Sequence, residues 1–250
     1  MADMMDENSR IFLERSLRNG SAILFTGAGF SSLAANLTGQ RLPVGSQLRD
    51  ALWPIAFPND PLDTSSTLGE VFDTAIRFSR PTTESLLRDR LTIDPSTLPQ
   101  LYNGYFSLPW WRTYTLNIDD LMSAVQRYFH LPHDLRIVSA IKESVPPPDI
   151  LSAVHLNGLI SDFPNITFSP PQYGERAARP DDGYTTLLRD LRSHCTIFVG
   201  TQLDEPPLWQ HIALRGEPPT GRELRPKSFL VVPSLSRARA TLLDRLNIRP

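Results

Sequence analysis

Apolar positions along the chain follow two rhythms. Short runs without alternation read as strands buried on both faces. Ala22-Ile23-Leu24-Phe25-Thr26 is such a run, and 111–116, 135–139, 153–156 and 196–200 also look like core strands, with a later one at 229–232. Between some of them the apolar residues recur at helical spacing. Leu68, Val71, Phe72, Ala75 and Ile76 share one face, as do Tyr184, Leu187, Leu188 and Leu191. A first helix over 9–18 stops at Asn19-Gly20. Strands alternating with helices predict an α/β fold, a Rossmann-like, mostly parallel sheet with helices on both faces. The stretch 37–108 is helical in pattern and poor in strand signals, so it reads as a small helical insert within a single domain spanning 1–250.

Near the C-terminus, 236–246 reads as a helix, Asn247 as its stop and Ile248-Arg249-Pro250 as the opening of another strand. Two readings stay open: a natural C-terminus, or the N-terminal part of a longer protein.

Composition narrows the function classes. Hydrophobic residues make up 40% and charged residues 21%, a globular balance. A net charge of -2 gives no electrostatic case for direct nucleic-acid binding. No apolar run approaches the roughly 20 residues of a membrane helix, and the acidic, polar start MADMMDENSR is unlike a signal peptide. The single cysteine, Cys195, allows no internal disulfide and no four-cysteine zinc site. A cytoplasmic protein without zinc is expected. The 23 prolines include the pairs Pro170-Pro171, Pro206-Pro207 and Pro218-Pro219 and the triplet Pro146-Pro147-Pro148, all expected in loops.

Four strand ends carry candidate chemistry. The turn Thr26-Gly27-Ala28-Gly29-Phe30-Ser31 follows the first strand and opens a helix. Its glycines permit close backbone approach to a pyrophosphate, and a helix start offers free N–H groups. An ordinary βα turn has the same residues, and G-x-G-x-x-G is incomplete because Ser32 stands at its last position. Thr115-Leu116-Asn117-Ile118-Asp119-Asp120 places Asn117 and Asp119 beyond a strand end, where open sheets bind ligands; capping of the following helix is the other reading. Val154-His155-Leu156-Asn157-Gly158 puts a histidine at a strand end, placed for proton transfer or hydrogen-bonded in the core. Phe198-Val199-Gly200-Thr201-Gln202-Leu203-Asp204 ends in a glycine turn.

These four segments, in this order, resemble the sirtuin superfamily, whose pattern is GAG-S, T-x-N-x-D, L-H-G and G-T-S-L. Here they read GAGFS, TLNID, HLNG and GTQLD, spanning Thr26 to Asp204. The chain is most similar to bacterial sirtuin-like NAD hydrolase domains of antiphage defence proteins. The resemblance implies NAD as substrate. It implies that Gly27, Ala28, Gly29 and Ser31 line the phosphates, that Thr26, Phe30 and Asn157 also belong to the NAD-binding site, that Asn117 holds the nicotinamide-side ribose or a water, and that Asp119 contacts the nicotinamide amide. Gly200, Thr201 and Gln202 would lie near the adenosine half, Gln202 standing where the family has serine.

Two departures bear on activity. The zinc ribbon of protein-deacylating sirtuins is absent, and Leu42-Pro43-Val44-Gly45 is the nearest thing to the family's I-P-D-F-R stretch. The family's histidine stands directly before the glycine, where this chain has Asn157; His155 lies two residues earlier, on the same face if the strand continues. The resemblance therefore implies an NAD glycohydrolase with Asn117 and His155 as catalytic residues, the effector of an antiviral, abortive-infection system. It implies control by a homo-oligomer, a sensor domain or a partner protein. The alternatives are an NAD or ADP-ribose binding module without catalysis, which Asn157 favours, and a protein deacylase.

Overall fold

The computed structural model describes residues 5–203, 208–209, 212 and 226–250. A seven-stranded sheet forms the centre, with every strand parallel to its neighbours, in the order β3-β4-β2-β1-β5-β6-β7. The strands are β1 (Ala22–Thr26), β2 (Arg112–Thr115), β3 (Arg136–Ser139), β4 (Ser152–His155), β5 (Cys195–Val199), β6 (Ser228–Val231) and β7 (Ile248–Arg249). Each expected run forms a strand, offset by at most a residue or so at its ends.

Alternation along β1 divides the core. Ala22 and Leu24 pack with α6 (Gln100–Phe106) and α7 (Leu121–Tyr128), and partly with α1 (Glu7–Arg18). Ile23 and Phe25 face the opposite layer, with α9 (Asp182–Ser193) and α10 (Arg237–Arg245). The sheet is thus covered on both faces, as an α/β sheet of continuous apolar strands requires.

Between β1 and β2 lie α2 (Ala28–Ser31), α3 (Gly45–Ala56), α4 (Leu68–Phe78), α5 (Arg80–Leu91) and α6, with no strand of the sheet among them. Helices α3, α4 and α5 share their own apolar cluster, built on Leu52, Phe72 and Leu87. It reaches Ile118, Ile160 and Ile166 in the loops after β2 and β4. The insert therefore sits against the C-terminal end of the sheet.

Pro170-Pro171 does not form a loop. It opens α8 (Pro170–Ala177) behind the N-cap Ser169. The first helical turn has no intrahelical acceptor for its N–H groups, so proline costs nothing there and its fixed φ suits the helix. Pro146-Pro147-Pro148 lies in irregular chain as expected, while Pro206-Pro207, Pro218-Pro219 and Asp204 fall outside the described residues.

The connection after β1 covers one face of the sheet and the chain after β5 covers the other. Strand order reverses between β1 and β5, and the C-terminal ends of these strands border the crevice that doubly wound sheets offer to ligands.

Candidate functional site

Parallel register aligns the ends of six strands in one row: Ser139, His155, Thr115, Thr26, Val199 and Val231. All four candidate motifs leave the sheet at this edge.

The glycine turn is stitched to the turn after β5. Gly27 N–H donates to the Val199 carbonyl at 3.0 Å and Gly29 N–H to the Gly200 carbonyl at 2.9 Å. A side chain is excluded on both sides of this contact. A Cβ on Gly27 would stand 2.6 Å from the Gly200 oxygen, and one on Gly200, whose φ is 70°, would stand 2.0 Å from Phe30 N. Two N–H groups expected to be free for phosphate are therefore spent inside the protein. Ala28, the first residue of α2, has no intrahelical acceptor for its N–H. Phe30 turns its ring into the core, in edge contacts with Tyr102 and Tyr105, and its carbonyl accepts from Tyr102 Oη at 2.6 Å. Its side chain anchors the turn.

Asn117 is held at three of its four polar groups. Its backbone N–H donates to Thr115 Oγ1 at 3.0 Å, and that hydroxyl donates to the Thr26 carbonyl at 3.0 Å. Its carbonyl accepts from His155 Nδ1 at 2.9 Å. Its side-chain Nδ2 donates to Ser31 Oγ at 2.9 Å. Among the described residues Asn117 Oδ1 has no donor, so it remains an unpaired acceptor.

His155 is fully buried. A carbonyl only accepts, so the bond to Asn117 fixes the proton on Nδ1 and leaves Nε2 as a bare lone pair. Nε2 is buried and has no hydrogen-bond partner among the described residues. Burial lowers the His155 pKa to about 4, against smaller opposing effects of the Asn117 carbonyl and of Asp162. The ring is neutral at physiological pH.

Asp119 does not cap α7, whose N-cap is Asp120 without a side-chain cap bond; it lies one residue earlier, and its carboxylate accepts from Leu121 N–H, the first of the helix, at 3.1 Å. It is also joined to the site. Burial raises its pKa to about 6, and hydrogen bonds from Ser31, Leu121 and Asn117 hold it down against that rise. Ionised Asp119 only accepts, so the Ser31 hydroxyl donates to it and receives from Asn117 Nδ2. This order directs the amide nitrogen of Asn117 inward and leaves Oδ1 as the unpaired end.

Asn157 is arranged differently from the expectation. Strand β4 ends at His155, and Leu156-Asn157 form a turn closed by Gly158, whose φ is 85°. The two-residue alternation of a strand does not extend to Asn157, although its side chain and that of His155 bond neighbouring carbonyls of the loop after β2. Its Nδ2 donates to the Leu116 carbonyl at 3.3 Å and to Tyr173 Oη at 2.8 Å, and its Oδ1 accepts from Tyr184 Oη at 3.1 Å. It is 2% exposed. The partners Tyr173 and Tyr184 lie 16 and 27 residues away in sequence, and no local signal marks them.

In the turn after β5, Thr201 is buried and its Oγ1 accepts from Leu203 N–H at 3.0 Å, while Gln202 is exposed. Arg239 of α10 donates to the Gln202 and Leu203 carbonyls and lies over the Trp209 ring, which fixes this loop from below. Among the described residues no group of three or more His, Cys, Asp or Glu could hold a metal ion, and no helix is long and apolar enough to cross a membrane.

Comparison of the chain with protein-family models and with curated proteins gave no match.

Proposed function

We propose that this chain is an NAD glycohydrolase that splits NAD into nicotinamide and ADP-ribose. The observation that carries the reading is the pair of unpaired acceptors at the ends of β2 and β4. Asn117 Oδ1 is left over from a residue pinned everywhere else, and His155 Nε2 is a buried lone pair. Such acceptors suit a ligand that brings O–H donors, a water and a ribose diol. The sirtuin-like order of the four motifs supplies the identity of that ligand.

In this reading the bond between ribose C1′ and the nicotinamide nitrogen breaks, and its electron pair neutralises the pyridinium. Positive charge builds on the sugar. Asn117 Oδ1 accepts from a water and aims its oxygen at C1′, which forms the new bond. The pKa of about 4 makes His155 a weak base. Nε2 is closed off from solvent in this fold, so in this reading the side chains over it move aside for it to accept from a ribose hydroxyl and stabilise the cationic sugar, while the proton shed by water goes to solvent. The glycine turn, with its Ala28 N–H, lies at the switch point where the pyrophosphate is expected. The proposed setting, an antiphage effector under the control of an oligomer, sensor domain or partner, rests on the resemblance.

The test is direct detection of nicotinamide released from NAD by wild type and by Asn117→Ala. The variant should lose activity on the order of 100-fold or more while keeping its fold, the scale of losing one preorganised polar contact. Full activity in a folded Asn117→Ala protein would remove Asn117 from the mechanism. One observation favours a second reading, a binding module for NAD or ADP-ribose without turnover: the low proton affinity of His155. Calorimetric binding of NAD with no nicotinamide release would support that reading.

A further inference from the structure

Three consecutive carbonyls carry the Asn117 loop, and all three are held from the end of β4 and the chain that follows it. The Leu116 carbonyl accepts from Asn157 Nδ2 at 3.3 Å, the Asn117 carbonyl from His155 Nδ1 at 2.9 Å, and the Ile118 carbonyl from Ile160 N–H at 2.7 Å. Asn157 is the member with a side chain fixed from elsewhere. Tyr173 Oη on α8 accepts its amide, and Tyr184 Oη on α9 donates to its oxygen. Helix α8 buries none of its residues. It is tied to the turn after β4 through polar contacts. Besides Tyr173, Arg176 donates to the Leu156 carbonyl at 2.6 Å and to Thr167 Oγ1 at 3.1 Å, and it pairs with Asp181.

We infer that Tyr173 is a positioning residue for Asn117, acting through Asn157 on the Leu116 carbonyl, so that the seating of α8 sets the precision of the loop after β2. An amide hydrogen-bonded on both of its ends cannot rotate without breaking contacts to two phenols. It therefore holds the Leu116 carbonyl at fixed height, and Asn117 is the next residue. The role in catalysis rests on the glycohydrolase reading; the mechanical link does not.

Two measurements on the intact chain separate the two. Hydrogen–deuterium exchange follows the segment 115–121, and nicotinamide release from NAD gives kcat and KM. Tyr173→Phe keeps the ring and removes the hydroxyl. It should speed exchange in 115–121 severalfold while leaving β1 and α3 unchanged, and lower kcat by about 10-fold to 100-fold, the cost of a small misplacement, with KM moved by less than about 3-fold. Asn157→Asp keeps acceptors for both phenols but sets a carboxylate oxygen against the Leu116 carbonyl. It should reproduce the faster exchange, and it serves if Tyr173→Phe does not fold. Tyr128→Phe, an exposed phenol on α7, should change neither readout. Unchanged exchange in 115–121 in both variants overturns the link. Faster exchange with kcat unchanged in an active wild type overturns the positioning role. Faster exchange in a chain that never consumes NAD leaves the link standing and removes the glycohydrolase reading instead.

Discussion

At the scale of single residues, the site holds two groups whose proton affinities burial has moved in opposite directions. Asp119 titrates near 6 in the fold against 3.8 as its ordinary value. Between those pH values the unfolded chain has lost a proton that the native state keeps, so the Asp119 contribution to stability declines as pH rises from about 4 to about 6. His155 titrates near 4 against 6.5. There the unfolded chain takes up a proton that the native state refuses, so its contribution grows as pH rises from about 4 to 6.5 and is lost as pH falls. Thermal melts across pH 4–7 of wild type, Asp119→Asn and His155→Gln check both signs, because groups common to all three proteins cancel in the differences. Relative to Asp119→Asn, wild type should lose ground as pH rises through that window. Relative to His155→Gln it should gain. The same chemistry predicts an acid limb near pH 6 in nicotinamide release. Protonated Asp119 no longer demands the Ser31 proton, and the order that presents Asn117 Oδ1 relaxes. A rate flat from pH 5 to 7 would contradict the Asp119–Ser31–Asn117 order.

At the scale of elements, much was legible and the misses have identifiable causes. Strands β1 and β5 were readable because they are nearly unbroken apolar runs buried in the sheet, while β2 and β4, which carry Arg112, Thr113, Thr115, Ser152 and His155, were readable from their short length and the apolar residues within and beside them. The helical insert was readable from its 3.6-residue rhythm. The end of β4 was not, because Val154-His155-Leu156-Asn157 continues the strand pattern while the chain already turns at Leu156. Pro170-Pro171 was misplaced because a proline pair looks the same in a loop and in the first turn of a helix. The phenols on Asn157 come from α8 and α9 and lie beyond any local window. The glycine turn was found by its sequence, yet its tightness arises from the turn after β5, 170 residues on in the chain. That contact makes Gly200→Ala a sharp test. The new Cβ would meet Phe30 N in a backbone conformation that L residues avoid. We expect a loss of about 1–3 kcal/mol or more in chemical denaturation. Nicotinamide release should fall out of proportion to the unfolded fraction, because α2 carries Ser31. A stable, fully active Gly200→Ala protein would mean that the two turns move apart freely.

At the scale of the whole molecule, polar side chains gather at both ends of the sheet. The C-terminal row carries His155, Thr115 and Thr26. At the opposite end, Arg112 opens β2 and is buried at 1% exposure against Asp190 of α9. Asp190 also accepts from Tyr114 Oη at 2.7 Å, and Arg112 donates to the Pro146 carbonyl at 2.6 Å, tying the proline loop beneath the sheet. A charge pair taken out of water contributes little by itself, but removing one partner strands the other. Asp190→Ala should therefore cost about 3–5 kcal/mol in denaturant unfolding, while Asp190→Asn, which keeps an acceptor for Arg112 and Tyr114, should cost less. The lesion lies at the far end of β2 from Asn117, so native Asp190→Ala protein should keep its NAD turnover per folded molecule. Measuring nicotinamide release at a temperature well below the variant's melting point, alongside the unfolding curve, gives both quantities. A loss of turnover in fully folded Asp190→Ala would show that the buried ion pair reaches through β2 to the loop that carries Asn117. A loss of stability alone assigns it to holding α9 against the sheet.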